Sequence, residues 1–539
     1  MPRTPLFSRL LEASAVAADA HTRNTTVDDV LDERNTRGLT RRDFIAATIA
    51  AGAVTACGDS QQAAGILAPR RSSRAKGSST TVAIVGAGLA GLTCAYRLRQ
   101  AGISATVYEA SDRLGGRCWS LRGHFADGQI AEHGGELIDQ SHTEIRHLAQ
   151  ELGLSLDNLL SAEVNGTEPF YFFDGSRYSF EDATRDIKGI WQTIHRDLSA
   201  ASFPTLYSSF TQRGFELDHM SVAQWIDASV PGGRQSRLGQ LLETAYVIEY
   251  GADATDQSAL NLIYLLGYSG QGQLRIFGPS NEKYHVRGGN DLIVDRLASA
   301  LGSGQIETGN VLVAITQTPS GRYTLTLDRG ATSRTVTVDH VVLAIPFSVM
   351  RSGVDYANAG FNDVKRTAIA ELGMGANAKL NVQFSSRHWT SLGSNGETYA
   401  DTGYQNTWEV SRGQPGKSGI LIQYTGGSAA LALGGQSANV LAQQFLPAID
   451  PVLPGIASKW NGRASIDWWP GDPWTKGSYA YWKVGQYTKF SGAEGARSGN
   501  CHFAGEHTSI EAQGYLNGAV ESGERVTSEI LADVKTLAP

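Results

Sequence analysis

The chain has 539 residues, 41% hydrophobic and 18% charged, a balance that excludes a disordered polypeptide and leaves ample apolar material for a large core. Its net charge of −7 is uneven: residues 1–78 hold 11 Lys+Arg against 8 Asp+Glu, so residues 79–539 carry −10. An acidic body excludes nucleic acid as a partner, because phosphate binding needs a basic face, and four cysteines in so long a chain are no disulfide framework.

Residues 1–79 read as an address and a linker. Arg41 and Arg42 stand just before Phe44–Ala56, thirteen residues without a charge. That run is too short to span a bilayer but suits a signal segment. The pattern resembles a twin-arginine export signal, which implies the twin-arginine export machinery as a partner and a periplasmic or cell-envelope location. Val54-Thr55-Ala56-Cys57 resembles a lipobox, in which Cys57 would carry a lipid anchor. Residues 58–79 are small, polar and basic, as in a flexible linker.

The β-branched run Thr81–Val85 predicts a buried parallel strand. It leads into Gly86-Ala87-Gly88-Leu89-Ala90-Gly91, a helix to Gln100, and a second strand, Ser104–Glu109, ending in an acid. In this strand–turn–helix context GxGxxG is a dinucleotide cradle. Gly86 permits the tight turn, Gly88 admits a pyrophosphate, and Gly91 lets the helix pack on the strand. The backbone N–H groups around Leu89 and Ala90 face the phosphates, and Glu109 accepts from a ribose.

Next comes Glu109-Ala110-Ser111-Asp112-Arg113-Leu114-Gly115-Gly116-Arg117. This string resembles the flavoproteins of the amine oxidase family, which hold FAD. The resemblance places Arg113 and Arg117 near the pyrophosphate and flavin and brings Gly116 close to the cofactor. Near the other end, Ala504-Gly505-Glu506-His507-Thr508 and Gln513-Gly514-Tyr515-Leu516-Asn517-Gly518 resemble the family's closing FAD motif. There Gly505 and Glu506 meet the ribityl chain, and a helix starting near Leu516 points its N-terminus at the flavin pyrimidine end. Ile306–Ile315 is similar to the strand meeting the adenine, with Leu312 as the contact. Val341–Pro346 is similar to the strand returning to the substrate domain.

The implied fold is α/β: a Rossmann-like FAD-binding domain of glutathione-reductase type, with a discontinuous mixed α+β substrate domain. The FAD domain is assigned to residues 80–139, 283–347 and 470–539, and the substrate domain to 140–282 and 348–469. A signal peptide takes 1–57 and a linker 58–79. A homodimer is expected.

The resemblance implies oxidative deamination of an L-amino acid or primary amine, with dioxygen reduced to hydrogen peroxide and ammonia released. Lys379, opposite in strand direction to Leu380 and Val382, is similar to the family lysine that holds a water at flavin N5. Tyr479 and Tyr515 are similar to the tyrosine pair that flanks the amine in monoamine oxidases. Those enzymes carry a cysteine bonded to the flavin where this chain has Ser478, which implies non-covalent FAD. Glu136 stands roughly where venom-type L-amino acid oxidases have a carboxylate-binding arginine, so it is a candidate for holding a distal ammonium, or a structural acid. Trp408, Trp482 and Phe172 are candidate pocket walls. No Cys/His cluster has ligand spacing, so no metal is expected, and His502 and His507 read as strand and loop residues. The alternatives are a polyamine oxidase, a desaturase or protoporphyrinogen-oxidase-like enzyme, and an exported flavin-binding lipoprotein without activity.

Overall fold

The computed structural model describes residues 80–270, 274–302 and 304–536; the export and lipid-anchor readings fall outside them. The run predicted as a buried strand is one. Val82–Val85 lies at the centre of a five-stranded sheet, between His340–Leu343 and Ala105–Tyr108. Cys501–Phe503 extends it on one side and Ile306–Glu307 on the other, all in parallel.

Both faces of this sheet are covered, as a parallel sheet requires. Val82 and Ile84 pack with Leu92, Ile293 and Val520, from the helices Leu89–Gln100, Leu292–Leu301 and Leu516–Thr536. Ala83 and Val85 face the other way, toward Leu312, Leu325 and Leu327 of a three-stranded antiparallel sheet.

The expected single strand over 306–315 is two strands. Gly309 turns the chain at φ +70°, and Gly309 and Asn310 donate their N–H groups to the carbonyls of Ser111 and Glu109. Ile306–Glu307 therefore ends the parallel sheet, while Val311–Gln317 starts the antiparallel one.

A seven-stranded mixed sheet forms the second layer system. Its order is Trp460–Trp468, Asn377–Phe384, Gly419–Gly426, Asn406–Glu409, Ser394–Ala400, Glu168–Phe173 and Ser176–Tyr178. Alternation along Asn377–Phe384 explains its two buried faces. Leu380, Val382 and Phe384 pack on the helix Ala438–Ile449 through Leu441 and Phe445, and Lys379, Asn381 and Gln383 alternate with them, buried too. The helices Phe180–Ala200, Val222–Ser229, Arg237–Tyr250 and Ala259–Leu266 form a core with Tyr171, Phe173 and Tyr399 of the same sheet.

Candidate active site

One deep cavity is bordered by both glycine turns, by the strand carrying Lys379 and by the helix ending at Tyr250. It begins at the C-terminal end of Val82–Val85. Gly86 turns there at φ +104°, and a side chain on it would meet the Ala344 carbonyl. A Cβ on Gly91 would run into the Gly86 carbonyl oxygen, so only glycine lets the helix seat here. At Gly88 a Cβ would instead enter open space, with Gly115 O the nearest atom at 4.0 Å. Gly88 is also the N-cap of Leu89–Gln100 and has no side chain to occupy the first-turn N–H groups. Those donors are left for an anion.

Around this opening the polar groups are already aimed. Glu109 Oε2 accepts from Ala87 N at 2.7 Å, and Oε1 from Ser111 N and Oγ at 2.9 Å. Arg113 donates to Gly116 O and covers the Trp119 ring. Arg117 bonds Glu506 Oε1 at 2.7 Å and Ser478 O at 2.8 Å; Glu506 also accepts from Gly514 N. Gly116, Leu312, Gly505 and Leu516 border the same space. A bare glycine, an uncapped helix start, a fixed carboxylate and a line of basic and acidic partners fit a dinucleotide that runs from Glu109 to Glu506.

Beyond Glu506 the walls become aromatic. Tyr479 Oη bonds Tyr424 Oη at 2.9 Å and donates to Ile248 O at 3.0 Å. Trp408 meets the Tyr424 ring edge-on at 5.0 Å. Tyr515 Oη donates to Glu249 Oε1 at 2.7 Å.

Lys379 reaches this space and ties down Glu136. Its Nζ donates to Glu136 Oε2 at 2.9 Å and to Gly134 O at 2.8 Å, and Trp408 Nε1 donates to the other Glu136 oxygen at 3.0 Å. The side chains of Lys379 and Glu136 are 5% and 6% exposed. Burial alone would raise the Glu136 carboxyl; the charge and hydrogen bond of Lys379, with the bond from Trp408, outweigh it and hold the group below its ordinary range. The ammonium at Glu136 is thus the chain's own, which fits the structural reading of this acid rather than the distal-ammonium one.

Trp482 is not among the residues bordering the cavity. It is buried against Tyr487 and Phe490, with centroids 4.8 and 5.5 Å away, because the strand Ala480–Tyr481 turns it into the helical core. Phe172, on Glu168–Phe173, packs into the cluster around Phe170 and Phe445 instead.

Sequence reasoning missed a group of acids. Glu249 lies in the last turn of the helix Arg237–Tyr250, Glu282 is the last residue before the expected domain junction and has φ +48°, and Glu397 sits in Ser394–Ala400; all three line the cavity. Burial raises Glu249 and Glu397 to about 7. Glu282 is exposed, whereas Glu249 and Glu397 are half-buried. Among the described residues none of the three has a basic ion-pair partner, whereas the cations Arg117, Lys379 and Arg412 are paired with Glu506, Glu136 and Glu163, and Arg113 donates to a backbone carbonyl at the dinucleotide end. An acid-rich, aromatic pocket attracts a cation.

Residues 89–531 match the family described as flavin containing amine oxidoreductase. The chain is 24% identical over 464 residues to a Dictyostelium discoideum protein named probable flavin-containing monoamine oxidase A, covering 83% of this chain and 97% of that one. It is 23% identical over 489 residues to an L-amino acid dehydrogenase of Synechocystis, covering 85% and 96%. A solved structure of putrescine oxidase bound to putrescine superposes with TM-score 0.72 at 21% identity, covering 84% of this chain and 99% of that one. With the family matched across most of its length and a dinucleotide cradle opening on an amine-attracting pocket, the chain belongs to the flavin-containing amine oxidoreductases and is an FAD-dependent oxidoreductase.

Proposed function

We propose that the substrate is a primary amine carrying a second positive charge, as in an aliphatic diamine, rather than an amino acid. The observation that carries this is the pairing of charges in the cavity: Arg117, Lys379 and Arg412 each have an acidic partner, Arg113 is held against Gly116 O and the Trp119 ring at the dinucleotide end, and among the described residues Glu249, Glu282 and Glu397 have no basic partner. An α-carboxylate would enter among like charges, and an ammonium would find acceptors. The putrescine complex of a protein of the same fold supports the reading.

Bound FAD would supply the two-electron oxidation of the C–N bond, and the protein supplies orientation and electrostatics. Gly88 and the N-terminus of Leu89–Gln100 would hold the pyrophosphate, Glu109 the ribose, and Glu506 with Arg117 the chain toward the flavin. Tyr479, Tyr424 and Tyr515 form the walls that align the reacting carbon. Lys379 keeps a positive charge next to the Gly134–Glu136 segment. The imine product hydrolyses to a carbonyl compound and ammonia, with dioxygen as electron acceptor. Export by the twin-arginine route, a lipid anchor at Cys57 and a homodimer complete the reading.

The direct test is peroxide release with putrescine, cadaverine, lysine, benzylamine and phenylalanine. The diamines are expected to give the highest kcat/KM; an equal or better value for phenylalanine or benzylamine would refute the assignment. The double variant Glu282→Gln/Glu397→Gln is expected to raise KM for putrescine about 10-fold or more, the scale of lost charge-assisted hydrogen bonds, with benzylamine changed by about two-fold at most.

Acid dependence follows from the raised carboxyls. Glu249 and Glu397 ionise as pH rises through about 7, so KM for a dication should fall across that window. Stability moves the other way. An acid raised in the fold contributes fully below its unfolded value of about 4.3, and the contribution is lost as pH rises through the folded value. The unfolding midpoint without substrate should therefore decline between about pH 4.3 and 7.

Ser478 places a hydroxyl, bonded to Asn377 Oδ1 at 2.6 Å, beside the cavity. A hydroxyl forms no thioether, so acid precipitation should leave all the flavin in the supernatant; a yellow pellet would indicate a covalent bond elsewhere.

A further inference from the structure

We propose that His340, His502 and Asp533 form a zinc site at the end of the parallel sheet opposite the glycine turn. His340 opens its strand beside Val82, whereas the cofactor turn follows Val85. His502 lies on the neighbouring strand, where Val342 is its partner. Residues 340 and 342 project from one face of the sheet, so the two imidazoles stand side by side. Asp533 comes to them from the helix Leu516–Thr536.

The donor atoms are grouped. His340 Nδ1 and His502 Nε2 are 3.3 Å apart, and one ligand atom from each of the three residues lies within 4.8 Å of the others. Two nitrogens bound at about 2.0–2.1 Å to a tetrahedral zinc stand roughly 3.3 Å apart. Without an ion the same two nitrogens are within hydrogen-bonding distance of each other. The histidines are 2% and 0% exposed.

The surroundings complete the arrangement. Glu529, one helical turn before Asp533, accepts from His502 Nδ1 at 2.7 Å. That bond fixes the proton on Nδ1 and presents the Nε2 lone pair, the outer-sphere carboxylate–histidine pattern of zinc proteins. Arg525 holds Glu529, and Arg497 pairs with Asp533 at 2.5 Å. The charges facing the site are then Asp339, Asp533 and Glu529 against Arg497 and Arg525, a net negative setting for a dication held by two imidazoles and one carboxylate oxygen, with water in the fourth position. Two imidazoles and one carboxylate suit zinc, and no cysteine is needed.

Sequence spacing shows nothing here because the three residues come from distant segments that only the fold unites. The site is far along the sheet from the glycine turn, so its role is to fasten the last strand and the C-terminal helix, not to take part in the chemistry.

The test uses untagged holoenzyme, stripped with EDTA and dialysed. After incubation with zinc sulfate and gel filtration, elemental analysis is expected to find about one zinc per chain, and the unfolding midpoint should rise by about 2 °C or more. Cobalt(II) should give the visible absorption of a tetrahedral site. His340→Asn and His502→Asn should each lose the zinc and the midpoint shift while retaining flavin absorbance and amine oxidation. Wild-type protein that keeps no zinc and shows no midpoint shift overturns the proposal, as does zinc retained in full by both variants. The wild-type titration decides even where a variant fails to fold.

Discussion

Lys379→Met is expected to slow oxygen-dependent reoxidation of the photoreduced enzyme by about 100-fold, the scale of losing one fixed donor from a water-poor site. The same change should destabilise the protein by about 3–5 kcal/mol, because it leaves the buried Glu136 without its counter-charge. The two effects have different pH signatures. Glu136 sits below its ordinary value in the intact pair, so the pair's contribution is present above the unfolded value of about 4.3 and is lost as pH falls through the lower folded value. In the variant, burial would push Glu136 up until it protonates, so the stability gap should close toward acid pH. Glu136→Gln combined with Lys379→Met should recover most of the unfolding midpoint but not the reoxidation rate. Reoxidation at the wild-type rate in Lys379→Met would remove the lysine from that step, and an unchanged midpoint would mean that the ion pair contributes nothing net.

Gly91→Ala is expected to yield protein without flavin and destabilised by about 3 kcal/mol or more. The added methyl meets the Gly86 carbonyl, which belongs to the turn itself. The closest atom is backbone, and the next side chain, Ile84, is packed in the core, so relief requires the helix Leu89–Gln100 to move off the sheet. Gly189→Ala is the control. Gly189 lies inside Phe180–Ala200 with nothing within 4 Å of the added carbon, and it should gain up to about 1 kcal/mol from helix propensity. Flavin retained at full stoichiometry by Gly91→Ala would refute the reading of the turn.

The contrast between these two glycines also explains what could be read from the sequence. Close backbone approach dictates residue type, so both glycine-rich turns and the acid after the second strand were legible as a pattern. Lys379 was legible because alternation along Asn377–Phe384 sets it apart from Leu380 and Val382. Tyr424 was not, although it stands opposite Lys379 in the neighbouring strand; register between strands so far apart in sequence is a tertiary fact. Glu249, Glu282 and Glu397 were invisible for the same reason. Each is a single acid in an ordinary local setting, and only their convergence on one cavity gives them meaning. Trp482 shows the opposite error: an aromatic near a catalytic tyrosine reads as a wall, yet the chain turns it into the helical core. The 306–315 segment failed at a glycine, whose positive φ split one apolar run between two sheets.

The order of the parallel sheet governs when the enzyme matures. Its central strand is made early, but Cys501–Phe503 and the helix covering the same face come last, and Arg97 reaches across 427 residues to Glu524. On a ribosome, the glycine turn emerges long before the segments that close over it. Cofactor capture is therefore an event of the finished polypeptide, and nascent chains must be kept from aggregating until their final hundred residues (roughly one domain's worth) have left the exit tunnel.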